Sequence, residues 1–528
     1  MTFEEIRSIK KTEPRIVQIQ ETINSLLQIV DFEYDGHPVE INGFKLKDLV
    51  HWEIPDNYGA EALVAQLARK CDSDCRFCYH KGNPPDFPLG KSLDFVSEEE
   101  METRLKYYKP ELGSTLFLSN YEQKEVLYDP KTMKYLRKIR DKSDEPFIIN
   151  TNGLGLTEGA VQELKALSPV IVVFSVNSVN QAKRDAIMNN TKENDSIQIM
   201  TLLSKYEVPF VASVAMWPTI NINDIEEAIR TTAQFSPYYI RLIMPGYTDY
   251  FAEPPKENMD EFVKHFHNCV VRILELRKSI DVPLVIYPEA YVISMQNLGS
   301  TAYLVGVVKH SPFYNVGIKS GDIIKKINGI SIEMRSTASA ILSLLKNANT
   351  QFTVEIRRED HILEFVIGSN NYQYPYTNNL ANAPFGAMLS GGLNKSYVKQ
   401  IDEIIDNNKA KNVLLMTSEL MFPQAIDLFE KCNYPIENDQ RKIRFCTPDS
   451  KYLGGNICIG DMFSAIDYID VVNQELRLNR DIDLIIIPSS AFFGSNGWKR
   501  DISGVYYKHI EWKTGIQTEL LNCQCFIF

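Results

Sequence analysis

Three cysteines stand within eight residues, in the run Cys71-Asp72-Ser73-Asp74-Cys75-Arg76-Phe77-Cys78. A loop of that length can turn all three sulfurs inward, and thiolates are the usual ligands of iron–sulfur clusters. Four ligands close a [4Fe-4S] cube. Here the fourth is missing locally, since the next cysteine is Cys269. An iron left open can bind and activate a small molecule. Aromatic side chains flank the third thiol, Phe77 before it and Tyr79 after it. A zinc knuckle is the rival reading, but zinc sites want four protein ligands, usually in paired C-x2-C hooks.

The elements around the triplet must hold it in place. The apolar run Ala62–Ala68 reads as a strand entering the cysteine loop. From about residue 59 to 295 buried-strand runs alternate with amphipathic helical patterns. The later strands are Thr115–Ser119, Phe147–Asn150, Ile171–Ser175, Phe210–Ala215, Tyr239–Met244 and Pro283–Tyr287. Such alternation predicts a parallel sheet with right-handed crossovers. Six or so units make a partial (β/α)6, TIM-like barrel, which carries its ligands at the carboxyl ends of the strands. Several strand ends are indeed polar: Asn120 and Glu122, Asn152, Ser175 and Asn177, Ser213, and Arg241. The bland reading of each is a turn former or helix cap.

A chain of 528 residues has room for three or four domains. Its 44% hydrophobic and 23% charged content is that of a folded protein, and a net charge of −12 argues against a nucleic-acid footprint. The opening MTFEEIRSIKKTEP has mixed charge, and no apolar run approaches the about 20 residues of a membrane span. We expect a cytoplasmic protein, its nine cysteines serving as ligands and reduced thiols.

The C-x3-C-x2-C spacing, with an aromatic before the last thiol, resembles the signature of the radical SAM enzymes. The resemblance implies that S-adenosylmethionine chelates the open iron through its amino and carboxylate groups. In that family the second strand often ends in Gly-Gly-Glu, where this chain has Ser119-Asn120-Tyr121-Glu122. Asn120 or Glu122 is then the candidate for the SAM amino group. The Thr151-Asn152-Gly153 turn and the Ser175/Asn177 pair resemble the family's polar third and fourth strand ends, near ribose and methionine. Arg241 suits the SAM carboxylate, because guanidinium matches a carboxylate with two hydrogen bonds. Phe77, Tyr79 and Ser213 complete the expected cofactor contacts.

Residues 1–58 carry no motif and read as a lead-in. Residues 296–368 change character: Gly317-Ile318-Lys319-Ser320-Gly321-Asp322 and the Asn328-Gly329 turn resemble a PDZ domain. Such domains take an extended peptide as an added strand, and the carboxylate loop is expected near Leu298-Gly299-Ser300-Thr301. The rival reading is that this module braces its neighbours. Residues 369–385 read as a linker, within a final α/β domain spanning 369–528. Its Leu415–Leu420 run, Gly454-Gly455-Asn456 turn and Leu484–Ser489 run resemble the trailing domain of a group of PDZ-containing iron–sulfur oxidoreductases. In that group the PDZ usually precedes the barrel; here it follows.

Cys523-Gln524-Cys525, with Cys432, Cys446 and Cys458, supplies enough thiols for a second cluster, or else these are free thiols. Taken together, the resemblance implies reductive cleavage of SAM to a 5′-deoxyadenosyl radical that acts on a peptide or protein. A ferredoxin or flavodoxin would be the electron donor. The alternatives are the same chemistry on a small metabolite, or a non-catalytic Fe–S/PDZ scaffold.

Overall fold

The computed structural model describes residues 69–71, 73–85, 116–118, 124–144, 146–189, 195–252, 259–348, 350–368, 383–478, 481–492 and 499–523, with a few isolated positions before 117. The expected strand Ala62–Ala68, most of the lead-in, Asn120, Glu122 and Cys525 lie outside these residues.

The α/β class holds. Six strands form one sheet: β1 Leu116–Leu118, β2 Phe147–Thr151, β3 Val170–Ser175, β4 Phe210–Ala215, β5 Ile240–Ile243 and β6 Leu284–Tyr287. They lie in sequence order and every neighbouring pair is parallel. The connecting helices include α1 Pro130–Arg140, α2 Glu158–Ala166, α3 Gln181–Met188, α4 Ser196–Lys205, α5 Ile222–Gln234 and α6 Met259–Leu276. Local chemistry fixes their starts. Thr157, Asn180, Asp195 and Asn221 each accept a hydrogen bond from a first-turn amide of the helix that follows.

Strand side chains alternate between two faces. Phe147, Ile149, Val172, Phe174, Ala212, Val214, Leu242 and Ile286 face the helices in the main core. Ile148, Ile171, Val173, Val211, Tyr239 and Val285 form a second cluster on the opposite, inner face, with Val305, Val308, Ala383 and Met388. The PDZ unit therefore lies against the inner face of the sheet. There Gly306 approaches Pro283 so closely that a Cβ would collide with its ring.

That unit contains β7 Leu304–Val307, β8 Ile323–Ile327, β9 Ile330–Ser331, α7 Arg335–Ala348, β10 Phe352–Arg358 and β11 His361–Ile367, with β9-β8-β10-β11 as one antiparallel sheet. The chain returns to it beyond the expected boundary at 368. Strand β12, Ala387–Leu389, pairs antiparallel with β7, and Phe385 and Ala387 sit in the same core as Leu342 and Val354. Phe385 is thus part of that core, and Ala383 packs in the inner-face cluster, rather than lying in a linker. The expected carboxylate loop is also engaged elsewhere. The Ser300 amide donates to the Asp427 carboxylate at 2.8 Å, and Lys431 Nζ donates to Ser300 Oγ at 2.6 Å. Asp427 and Lys431 lie on α9, Phe422–Lys431, of the next domain, after α8, Lys395–Asn408.

The C-terminal domain is a four-stranded parallel sheet of β13 Asn412–Met416, β14 Lys442–Cys446, β15 Leu484–Pro488 and β16 Gln517–Leu521, in the order β14-β13-β15-β16. Helix α10, Ala465–Arg477, opens on a capping box between Ser464 and Asp467. Met421 and Cys523 of this domain meet Ala290, which follows the carboxyl end of β6.

Candidate cluster and cofactor site

The cysteine loop is fixed to the sheet by its backbone. Arg69–Lys70 pairs antiparallel with Lys124–Glu125, so that Cys71 leaves a short ladder. The Asp74 and Arg76 amides donate to the carbonyls of Met188 and Ile187 at 3.0 and 2.9 Å. The last turn of α3 leaves those carbonyls without helical partners, and the loop satisfies them. Cys78 closes a turn onto Cys75 O at 3.1 Å, and Lys81 onto Cys78 O at 2.9 Å. Lys81 also pairs with Asp74 at 2.9 Å.

All three cysteines are half-buried. Burial, and then the neighbouring thiols of Cys78 and Cys71, push the Cys75 thiol up to about 12. Burial likewise raises Cys78. At Cys75 that repulsion comes from both other thiols of the loop. It is relieved when a cation takes the protons' place. Among the described residues no group of three His, Cys, Asp or Glu side chains converges as the ligands of a single metal ion do. A cube asks for a different spacing, since each of three thiolates binds its own iron. Three thiols are the donor type that a [4Fe-4S] cluster takes, and Cys71, Cys75 and Cys78 are the candidates to hold one.

The polar strand ends form a row. Ser175 is in register with Ser213, and Ser213 with Arg241, across β3, β4 and β5. They share the inner face with Val173, Val211 and Tyr239, two residues earlier on each strand. Arg241 Nε donates to Ser213 Oγ at 3.3 Å. Asn177, just past β3, takes a left-handed φ of 56° and accepts from the Ala215 amide at 3.0 Å. Its Nδ2 is buried with no hydrogen-bond partner among the described residues, a donor that suits an acceptor such as a bound cofactor would bring. Asn152 connects row and loop: Nδ2 donates to Ser73 Oγ at 2.9 Å and to Cys71 Sγ at 3.5 Å. Phe77 packs against the main core, whereas Tyr79 is 48% exposed, its ring tilted against that of His80 at 4.3 Å between centroids.

Two residues escaped the sequence reading. Glu125 is fully buried; its carboxylate accepts from Thr151 Oγ1 at 2.5 Å and from the Asn152 amide at 2.7 Å. Nothing in its polar surroundings (Gln123-Lys124-Glu125) signals burial. Arg184 is also fully buried and donates to the carbonyls of Val176, Asn152 and Ser175 at 3.0, 2.7 and 2.9 Å. Burial lowers its pKa to about 10, against the attraction of Cys75, so it stays cationic at neutral pH. It could have been found, because it falls on the apolar stripe of α3 with Ile187 and Met188.

Among the described residues the other thiols form no group of three that could hold a metal ion. Cys523 is buried with its sulfur 3.8 Å from Ser490 Oγ, Cys269 is buried on α6, and burial pushes Cys458 up to about 11.

Residues 66–232 match the Radical SAM superfamily, and residues 303–358 match a PDZ domain. The chain thus carries a domain of the radical SAM enzyme superfamily joined to a PDZ domain. No curated protein matches it. Among solved structures the chain is similar to SuiB of Streptococcus suis bound to the precursor peptide SuiA, at 12% identity and a TM-score of 0.32, covering 42% of this chain and 47% of that one. It is similar to anSMEcpe with bound AdoMet at 14% identity and a TM-score of 0.34, covering 49% and 71%. A third is coproporphyrinogen III oxidase (HemN) from Escherichia coli, at 10% identity and a TM-score of 0.29, covering 73% and 84%. The chain spans about half the length of the first of these structures. At such likeness nothing about substrate transfers to this chain.

Proposed function

We propose that this chain is a radical SAM enzyme acting on a peptide or protein. The observation that carries the reading is the loop of Cys71, Cys75 and Cys78, pinned to α3 and joined through Asn152 to the polar carboxyl edge of the sheet. A [4Fe-4S] cluster with SAM, when bound, supplies reductive cleavage of SAM and a 5′-deoxyadenosyl radical. The chain's own residues hold and orient. The three thiols would release their protons to solvent and hold iron as thiolates, Arg241 would offer a guanidinium to the SAM carboxylate, and Asn152, Ser175, Ser213 and Asn177 would offer polar atoms along the same edge. The helix layer outside and the PDZ unit inside keep bulk water from the sheet. An external electron donor of the ferredoxin or flavodoxin kind, and a reducing cytoplasm, suit such a site.

The PDZ domain supports a peptide substrate, since that fold adds extended chains to its edge. One observation favours a second reading, the same chemistry on a small metabolite: Val305, Val308 and Met388 make the PDZ unit a floor for the sheet. The discriminating experiment is anaerobic. The reduced, SAM-loaded chain is challenged with a peptide pool and with a peptide-free metabolite pool, and 5′-deoxyadenosine release is followed. Stimulation by peptides is expected; stimulation by the metabolite pool alone would overturn the peptide assignment.

A further inference from the structure

We propose that the C-terminal domain is part of the cluster site, its Leu453–Asn456 turn clamping the segment that seats the cysteine loop. This rests on the radical SAM reading above. The segment is residues 245–251, which leave the carboxyl end of β5. One side of it is anchored in the core, where Tyr247 stacks on Phe251 at 4.8 Å and Phe251 lies 6.3 Å from Trp217. Its other side meets the distant turn. The Tyr247 amide donates to Asn456 Oδ1 at 2.6 Å, and Asn456 Nδ2 donates to Pro245 O at 3.1 Å. The backbones interlock as well, with Asn456 N to Tyr247 O and Asp249 N to Leu453 O, both at 2.9 Å.

Glycine is required for this approach. Gly454 and Gly455 have φ of 66° and 63°. A Cβ on Gly455 would collide with the Tyr247 carbonyl, and one on Gly454 with the Asp249 carboxylate. The clamped segment then reaches the cysteine loop. Thr248 Oγ1 donates to Gly82 O at 2.5 Å, and the Phe251 ring covers Gly82, leaving no room for a side chain there. Gly82 ends the single turn that begins directly after Cys78. The path from trailing domain to cluster ligand is therefore continuous: Asn456, Tyr247–Thr248, Gly82, Cys78.

The turn's role is positional, so the test reads cluster retention at a temperature well below unfolding. Full-length Asn456→Ala, Thr248→Val and Thr248→Ser are reconstituted anaerobically. Iron loss to a chelator is timed, and the EPR signal of the reduced cluster is recorded with and without SAM. Asn456→Ala and Thr248→Val are expected to lose iron about tenfold faster than the parent, a hydrogen bond's worth of hold on the loop. Both should also show an altered SAM-dependent EPR signal, while Thr248→Ser, which keeps the hydroxyl, returns to parental behaviour. Parental iron loss in Asn456→Ala and Thr248→Val would overturn the inference while leaving the cluster itself intact. A parent chain that takes up no cluster would overturn the radical SAM reading instead.

Discussion

Asn152 shows how much of this site is set by single side chains. Its amide hydrogen goes to the Glu125 carboxylate and its side-chain amide to Ser73 and Cys71. A buried carboxylate that accepts a backbone amide and a hydroxyl orients both. Glu125→Gln keeps the shape but aims an amide N–H at one of those donors. We expect it to cost about 2 kcal/mol in denaturant unfolding and to lower the iron retained per chain. Unchanged stability would remove Glu125 from the support of the site. The cysteine triplet was legible because its spacing alone constrains it. Glu125 was not, because a carboxylate in a polar stretch looks the same whether exposed or buried. Nor does a strand-end asparagine reveal in sequence that it reaches a cysteine.

Helix α3 is the element on which the loop leans. Its last carbonyls take the Asp74 and Arg76 amides, and Arg184 beneath ties Asn152, Ser175 and Val176 together through their carbonyls. Arg184→Met fills the space but strands three buried carbonyls, so a loss of about 3 kcal/mol in unfolding free energy is expected. A loss under 0.5 kcal/mol, within the range of an ordinary surface change, would mean those carbonyls find other donors. Strands β2 to β6 were readable from buried runs of β-branched residues, which suit a parallel sheet covered on both faces. What covers the inner face was not. The Val305-Gly306-Val307-Val308 run reads as any PDZ strand. Only the fold reveals that residues on either side of Gly306 meet Ile148 and Val173. In the same way residues 369–385 read as a linker because Asn, Tyr and Pro dominate them, and nothing in that stretch signals that β12 just beyond it pairs back with β7.

At the scale of the molecule, three units meet around a buried polar junction. Glu289, after β6, lies among Arg277 of the sheet domain, Arg335 of the PDZ unit and the Gly391 backbone. Arg335 in turn donates to Gln424 Oε1 of the C-terminal domain at 3.1 Å. Burial raises Glu289 from 4.5 to about 7, against the pull of the two arginines. A carboxyl raised on folding stabilises the fold below its unfolded pKa, and that contribution is lost as pH climbs through the folded value. The Tm should therefore fall between about pH 5 and pH 8, by an amount on the order of 3 kcal/mol in stability at most. Glu289→Gln should flatten that slope; an identical pH profile in the variant would show that the junction does not titrate.

The most direct measurement concerns the three thiols themselves. The full chain is reconstituted anaerobically with iron and sulfide, reduced in the presence of SAM, and assayed for iron per chain and for 5′-deoxyadenosine. The same is done for the variant carrying Cys71→Ala, Cys75→Ala and Cys78→Ala. The parent should hold a four-iron cluster and release 5′-deoxyadenosine, and the triple variant should do neither while keeping its fold. A triple variant that still binds four irons and cleaves SAM would contradict the assignment of the cluster to this loop.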